Sequence, residues 1–246
     1  GGKHAGLEHN EKSKDSSGKS VDTGKLTITS GTDAKGNNTG SLTATGSSAS
    51  AGIGSVWNTS KVKDSGAGTI EITGGDITAK GASDGAGIGS GAWATGKTNI
   101  TISGTANVEA RTDQGGAGIG SGSVATGNTN ITISGGTIVK AQGGSGGAGI
   151  GGGNESTGQT TVTIKDGTIE NATGGNLGDG IGGGCDSTNI TVNIEGGRIE
   201  TAQGGQGYGS YYDAGDGIHS DGSLTISGNG HHWQRHRRRR RPQLRP

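Results

Sequence analysis

A solenoid of short parallel strands, an all-β parallel β-helix, is predicted from three observations. Glycine is abundant while aromatic residues are nearly absent, isoleucine recurs about every 31 residues, and short apolar–polar alternations lie between glycine corners. Glycine supplies 58 of 246 residues, hydrophobic residues 25% and aromatic ones 2%, with no Phe. A conventional globular core needs more large apolar side chains, which leaves disorder or a repeat architecture. Collagen is excluded, because glycine does not fall at every third position and there are only 2 Pro.

Phased ladders separate repeat from disorder. The isoleucine of the G-I-G/H corner falls at Ile53, Ile88, Ile119, Ile150, Ile181 and Ile218, in steps of 35, 31, 31, 31 and 37 residues. A second ladder keeps time with it: Ile72, Ile102, Ile133, Ile164, Ile194 and Ile226. Compositional bias would scatter glycine but would not phase two isoleucine series. These twelve residues are the predicted core.

Each period divides into three short extended pieces. In 129–153, "NITIS" alternates apolar with Thr or Ser, so Ile131 and Ile133 should point inward and Thr132 outward. "TIVKA" follows Gly135-Gly136 and is rich in β-branched residues. A glycine corner leads to "AGIG", where Ile150 is the sizeable apolar side chain, and then to the polar turn "NESTGQT". Such a rung cannot bury its apolar face alone, whereas stacked rungs create a continuous core. Each buried Ile or Val then contributes about 1.5–3 kcal/mol. Six to seven rungs are expected, a rod about 30 Å long at about 4.8 Å per rung. Helical spacing is absent, so almost no α-helix is expected.

The helix is assigned to residues 21–230. Residues 1–20 are polar and charged and read as a frayed beginning. Residues 231–246, "HHWQRHRRRRRPQLRP", read as a basic, disordered tail, with a polyanion-binding arm as the alternative. Seven of the 21 basic residues lie in that tail, so residues 1–230 hold 14 Lys and Arg against 21 Asp and Glu, a net −7. An acidic body argues against nucleic acid as a partner. No stretch approaches the roughly 20 apolar residues of a membrane span. With no methionine in the chain, it is expected to begin inside a longer protein. The lone Cys185 cannot form an internal disulfide and reads as a buried or neutral thiol.

The unit "SGGTIVKAQGGSGGAGIGGG" (134–153) resembles repeats in large surface proteins of Gram-positive and gut bacteria. The stretch "GDGIHSDGSLTISGNG" (215–230) is similar to the D-G-I-x-S-x-G-x-L-x-I-x-G unit of bacterial carbohydrate-binding β-helix proteins. The matching positions are Asp216, Gly217, Ile218, Ser220, Gly222, Leu224, Ile226 and Gly228. Together the two resemblances cover about residues 66–230. They imply a secreted, right-handed parallel β-helix that binds polysaccharide and calcium without catalysis. The matched positions are structural glycines and core aliphatics, so no ligand-contacting residue is carried over.

Candidate sites follow from the rarer residues. Gly87-Ile88-Gly89-Ser90-Gly91 is a fragment of a dinucleotide fingerprint, but a turn and a strand follow it where a helix is required. Trp57 and Trp93 lie just past two G-I-G corners, and Tyr208, Tyr211 and Tyr212 sit in a long insertion; both groups are candidate sugar platforms. The alternative is that each ring covers the loop beneath it. Asp179 and Asp216 stand two residues before their corner isoleucines and should align on adjacent rungs. Stacked carboxylates suit Ca²⁺, though "GGNLGD" (174–179) departs from the calcium-binding G-G-x-G-x-D repeat. Calcium is therefore a candidate ligand and no other cofactor is expected.

Enzymatic readings are weaker. Glycoside hydrolysis needs two carboxylates flanking the bond, and no acid–base pair stands out beside His219. A threonine row for ice binding is interrupted, running Glu71, Thr101, Thr132, Thr163, Asn193. N-x-T triplets such as Asn130-Ile131-Thr132 match glycosylation sequons in a chain rich in both residues. The reading reached is a non-catalytic, extracellular segment of a bacterial surface protein, an adhesin or carbohydrate-binding module with a polysaccharide or a host or plant glycan as partner. A purely structural surface stalk is the alternative.

Overall fold

Inward isoleucines, each hydrogen-bonded in register to its counterpart one rung away, organise the molecule. The computed structural model describes residues 4–58, 64–207 and 213–227. Every element in them is a strand, and the strands form a parallel β-solenoid of about six turns.

One sheet is the corner stack: Leu7–Glu8, Ile53–Gly54, Ile88–Gly89, Ile119–Gly120, Ile150–Gly151 and Ile181–Gly182, all parallel. Ile218 joins it through a bridge to Ile181. The large sheet holds the other two strand positions of each rung. Its first column runs Lys25–Ile28, Gly68–Ile72, Thr98–Ile102, Thr129–Ile133, Thr160–Ile164, Ile190–Ile194 and Leu224–Ile226. Its second places Leu42, Ile77, Val108, Ile138, Ile169 and Ile199 in one ladder and Ala44, Ala79, Ala110, Ala141, Ala172 and Ala202 in another.

The alternation read from "NITIS" is present: Ile131 and Ile133 are buried and Thr132 is not. Ile, Val and Ala supply nearly the whole core, with Leu7, Leu26, Leu42 and Leu224 packed at its ends. In the middle rungs two expected strands merge, as Thr129–Gln142 and Thr160–Ile169, with register shifts where the chain turns the corner. Of the twelve predicted core residues, Ile226 is 43% exposed. It pairs with Ile194 as the ladder requires, and it lies on the last described strand, so among the described residues no further rung covers it. Ile218 is half-buried against the core.

The opening segment departs from the expected frayed lead-in. Leu7 pairs with Ile53, Ala5 is buried, and Lys12–Lys14 forms an antiparallel hairpin with Ser20–Asp22. Glu11 fastens this hairpin to the body. Its amide donates to Gly66 O and its Oε2 accepts from the Lys97 amide at 2.6 Å. The basic segment 231–246 lies outside the described residues.

Glycine in the I-G corner has a steric cause, seen at Gly120. Its φ is +142°, and a Cβ there would stand 1.9 Å from Gly151 O of the next rung. No side chain fits between backbones so close.

Candidate functional site

Successive corners are stacked turn upon turn, so a residue's place in the G-I-G frame fixes which neighbours it meets. Five residues past the corner isoleucine, the amides of Asn58, Trp93, Val124 and Glu155 donate to carbonyls of the next rung: Ala92, Ser123, Asn154 and Cys185. Trp93, Val124, Glu155 and Asp186 all have φ between 54° and 56°. That left-handed turn directs the chain around the outside of the rod.

Trp57 is one residue out of step with Trp93, since Asn58 is the frame equivalent of Trp93. The offset brings the two indoles together, with centroids 5.6 Å apart and planes tilted by 34°. Trp93 is 42% exposed and Trp57 half-buried. Asn58 Nδ2 donates to Trp93 O at 3.1 Å, tying the two turns. The candidate sugar platform is thus one tilted pair of rings contributed by two neighbouring turns, for which the sequence suggested similar loops on one side of the rod. Tyr208, Tyr211 and Tyr212 lie outside the described residues.

Asp179 and Asp216 do occupy adjacent rungs, but their side chains diverge. Asp179 is buried, 8% exposed, at a position filled by Ala51, Ala86, Ala117 and Ala148 in earlier rungs. Its Oδ2 accepts from the Gly183 amide and its Oδ1 from the Asp216 amide, both at 2.8 Å. Burial pushes its carboxyl up to about 6, against the opposing pull of those two amides and of His219. The Asp216 side chain points outward, with Oδ2 at 3.2 Å from His219 Nδ1. Both Asp179 oxygens therefore face backbone amides, and the stacked calcium-ligand arrangement does not form. Among the described residues no group of three or more His, Cys, Asp or Glu is placed to hold a metal ion. Nearby, Cys185 is half-buried, and burial followed by its contact with Asp186 pushes the thiol up to about 11. That disfavours a reactive thiolate.

A polar groove, missed in the sequence, crosses the turn between the two columns of the large sheet. Asn38, Asp76, Thr105 and Asn107 line it, with Gly104 and Gly136, around about 570 Å³. Asn107 Nδ2 donates to Asp76 Oδ1 at 2.9 Å, and the Thr105 hydroxyl donates to Asn38 Oδ1 at 2.9 Å. The only signal for it in the sequence is the polar loop 31–40, which has no counterpart in later rungs. On the outward face, Glu71, Thr101, Thr132, Thr163 and Asn193 do form one row. Lys25 meets Glu71 at 2.5 Å, placing charge on a face that ice binding would require to be neutral.

Fold and sites together define a parallel β-helix repeat protein. The family model described as beta helix repeat matches residues 70–92, 100–123, 131–154 and 162–185. Each match runs from an inward residue of the large sheet through the following I-G corner. No curated protein and no solved structure matches the chain. Among the described residues no helix is long and apolar enough to cross a membrane.

Proposed function

We propose that this chain is a non-catalytic, extracellular β-helix segment of a bacterial surface protein that binds polysaccharide at the Trp57–Trp93 corner. The observation that carries the reading is the convergence of the two indoles. They are the only aromatic side chains among the described residues, they stand 36 positions apart in sequence, and they meet at one partly exposed corner. The core is filled without them, by aliphatic ladders. An indole offers a broad apolar face to sugar C–H groups, a contact typical of sites that combine apolar walls with a few polar groups. The acidic body supports a neutral ligand over nucleic acid, and the resemblance of the repeat to bacterial surface proteins supports the location.

The test is binding to a glycan array by wild type and Trp93→Ala. Retention of selected glycans by wild type and loss in the variant supports the platform. Absence of binding by wild type refutes it and favours the second reading, a structural stalk, for which the regular core ladders speak.

A further inference from the structure

We propose that the polar groove between the two columns of the large sheet is a saccharide subsite that holds a pair of vicinal hydroxyls. The proposal rests on which hydrogen-bonding groups of its lining are engaged and which are free. Asn38 is engaged at both ends: Nδ2 donates to Thr105 O at 2.6 Å and Oδ1 accepts from the Thr105 hydroxyl at 2.9 Å. Asp76 Oδ1 accepts from Asn107 Nδ2 at 2.9 Å. Among the described residues, Asp76 Oδ2, Asn107 Oδ1 and the Thr137 hydroxyl are left over in the lining. Asp76, Asn107 and Thr137 are register partners in successive rungs, so they stand in one row at steps of about 4.8 Å.

The free capacity of this row is mainly that of an acceptor: a carboxylate oxygen and an amide oxygen side by side, then a hydroxyl. A ligand for it must bring closely spaced donors and no negative charge. Two adjacent hydroxyls of a sugar ring do so, each donating to one oxygen of the row while accepting from a neighbour. Phosphate, sulfate and uronate groups are repelled by Asp76. A metal ion is disfavoured by the donor set. Among the described residues Asp76 is the one carboxylate lining the groove and one of its oxygens is engaged, whereas Ca²⁺ takes about six to eight oxygens.

The wall beside the row is held in place before any ligand arrives. Loop 31–40 is closed by a bridge between Thr32 and Asn38 and by Asp33. The Asp33 carboxylate accepts from the Lys35 and Asn37 amides at 2.8 and 2.9 Å and from Asn37 Nδ2 at 3.0 Å. Asn38 then ties the loop to Thr105, two rungs on. Little ordering entropy therefore opposes binding. Beyond Thr137 the row continues as Thr168 and Arg198, without such a loop beside it. The groove lies at the turn between the columns and the indole pair past the G-I-G corner, so the subsite adds to the polysaccharide reading without depending on Trp93.

The test is NMR titration of the isotope-labelled whole chain with methyl glycosides of glucose, galactose, mannose and xylose. At least one should shift the side-chain amide signals of Asn38 and Asn107 and the backbone signals of Gly104, Thr105 and Thr137, saturating with a Kd of about 1–10 mM. Its per-O-methylated form, which keeps the ring and lacks donors, should cause no saturable shift there. Asp76→Asn should weaken binding by about tenfold or more and Thr137→Val by about twofold or more, while Trp93→Ala should leave it unchanged. If Asp76→Asn alters the spectrum without sugar beyond the groove, Thr137→Val alone carries the comparison. Absence of saturable groove shifts with every glycoside, equal binding of the methylated form, unchanged affinity in both groove variants, or loss of the groove shifts in Trp93→Ala overturns the subsite. So does a response to calcium or to an alkylammonium ion without one to sugar. A Trp93 indole signal that responds to sugar while the groove stays silent overturns the groove and leaves the indole platform standing.

Discussion

The Ser156 hydroxyl fills the space that a side chain at Gly152 would occupy: a Cβ built on Gly152 lies 2.9 Å from Ser156 Oγ. The pairing is a swap along the repeat. Ser90 is followed four residues later by Ala94, and Ser121 by Ala125, whereas Gly152 is followed by Ser156 and Gly183 by Ser187. In the first arrangement the serine accepts from a glycine amide one rung on, Ser90 from Gly122 at 3.0 Å and Ser121 from Gly153 at 2.9 Å. In the second, Ser156 Oγ is buried without a partner among the described residues.

Gly152→Ser alone should therefore destabilise by about 1–3 kcal/mol through overpacking. Ser156→Ala combined with it should restore the arrangement of the earlier rungs, with the new hydroxyl positioned for the Gly184 amide. Denaturant unfolding of wild type, both single variants and the double variant should give a favourable coupling of about 1–2 kcal/mol. Additive effects would show that the two sites do not share the space.

The corner glycines allow steric contact to be separated from backbone conformation. Gly120→Ala adds a Cβ 1.9 Å from Gly151 O, so the rungs must separate locally, and a loss above about 3 kcal/mol is expected. Gly18→Ala also forces an L-residue into positive φ, +81°, but meets nothing within 4 Å. It should lose only about 1 kcal/mol. Equal losses in thermal unfolding would mean that conformation, not contact between rungs, sets the requirement for glycine.

Core position should grade the cost of truncation. Ile133 is fully buried between Ile102 and Ile164, and Ile133→Ala should destabilise by about 2–5 kcal/mol. Ile226 occupies the same ladder on the last described strand and is 43% exposed, and Ile226→Ala should change stability by less than about 1 kcal/mol. Urea titration of both variants checks the gradient.

The ladders were legible because identical spacing repeats the same contact; Ile102, Ile133 and Ile164 stack as their positions imply. The hairpin of Lys12–Lys14 with Ser20–Asp22 was not legible, since its strands are polar and their pairing depends on Glu11 reaching the body. For Asp179 the sequence gives alignment with Asp216 but not direction, which is set by the two backbone amides that its carboxylate accepts from. The indole contact was obscured because Trp57 stands four residues past its corner isoleucine and Trp93 five, so the two rings do not share a frame position.

Val124 offers a final test, because its side chain opposes its backbone. Its φ is +56°, in a column shared with Trp93, Glu155 and Asp186. A β-branched residue suffers most in this region, where the branched Cβ crowds the following carbonyl. Asparagine tolerates the conformation better and retains a polar side chain suited to the half-exposed position. Val124→Asn should raise stability by about 1 kcal/mol, seen as a higher denaturant midpoint with an unchanged slope. A loss of stability would instead show that Val124 packs usefully against the aromatic corner, outweighing its strained turn.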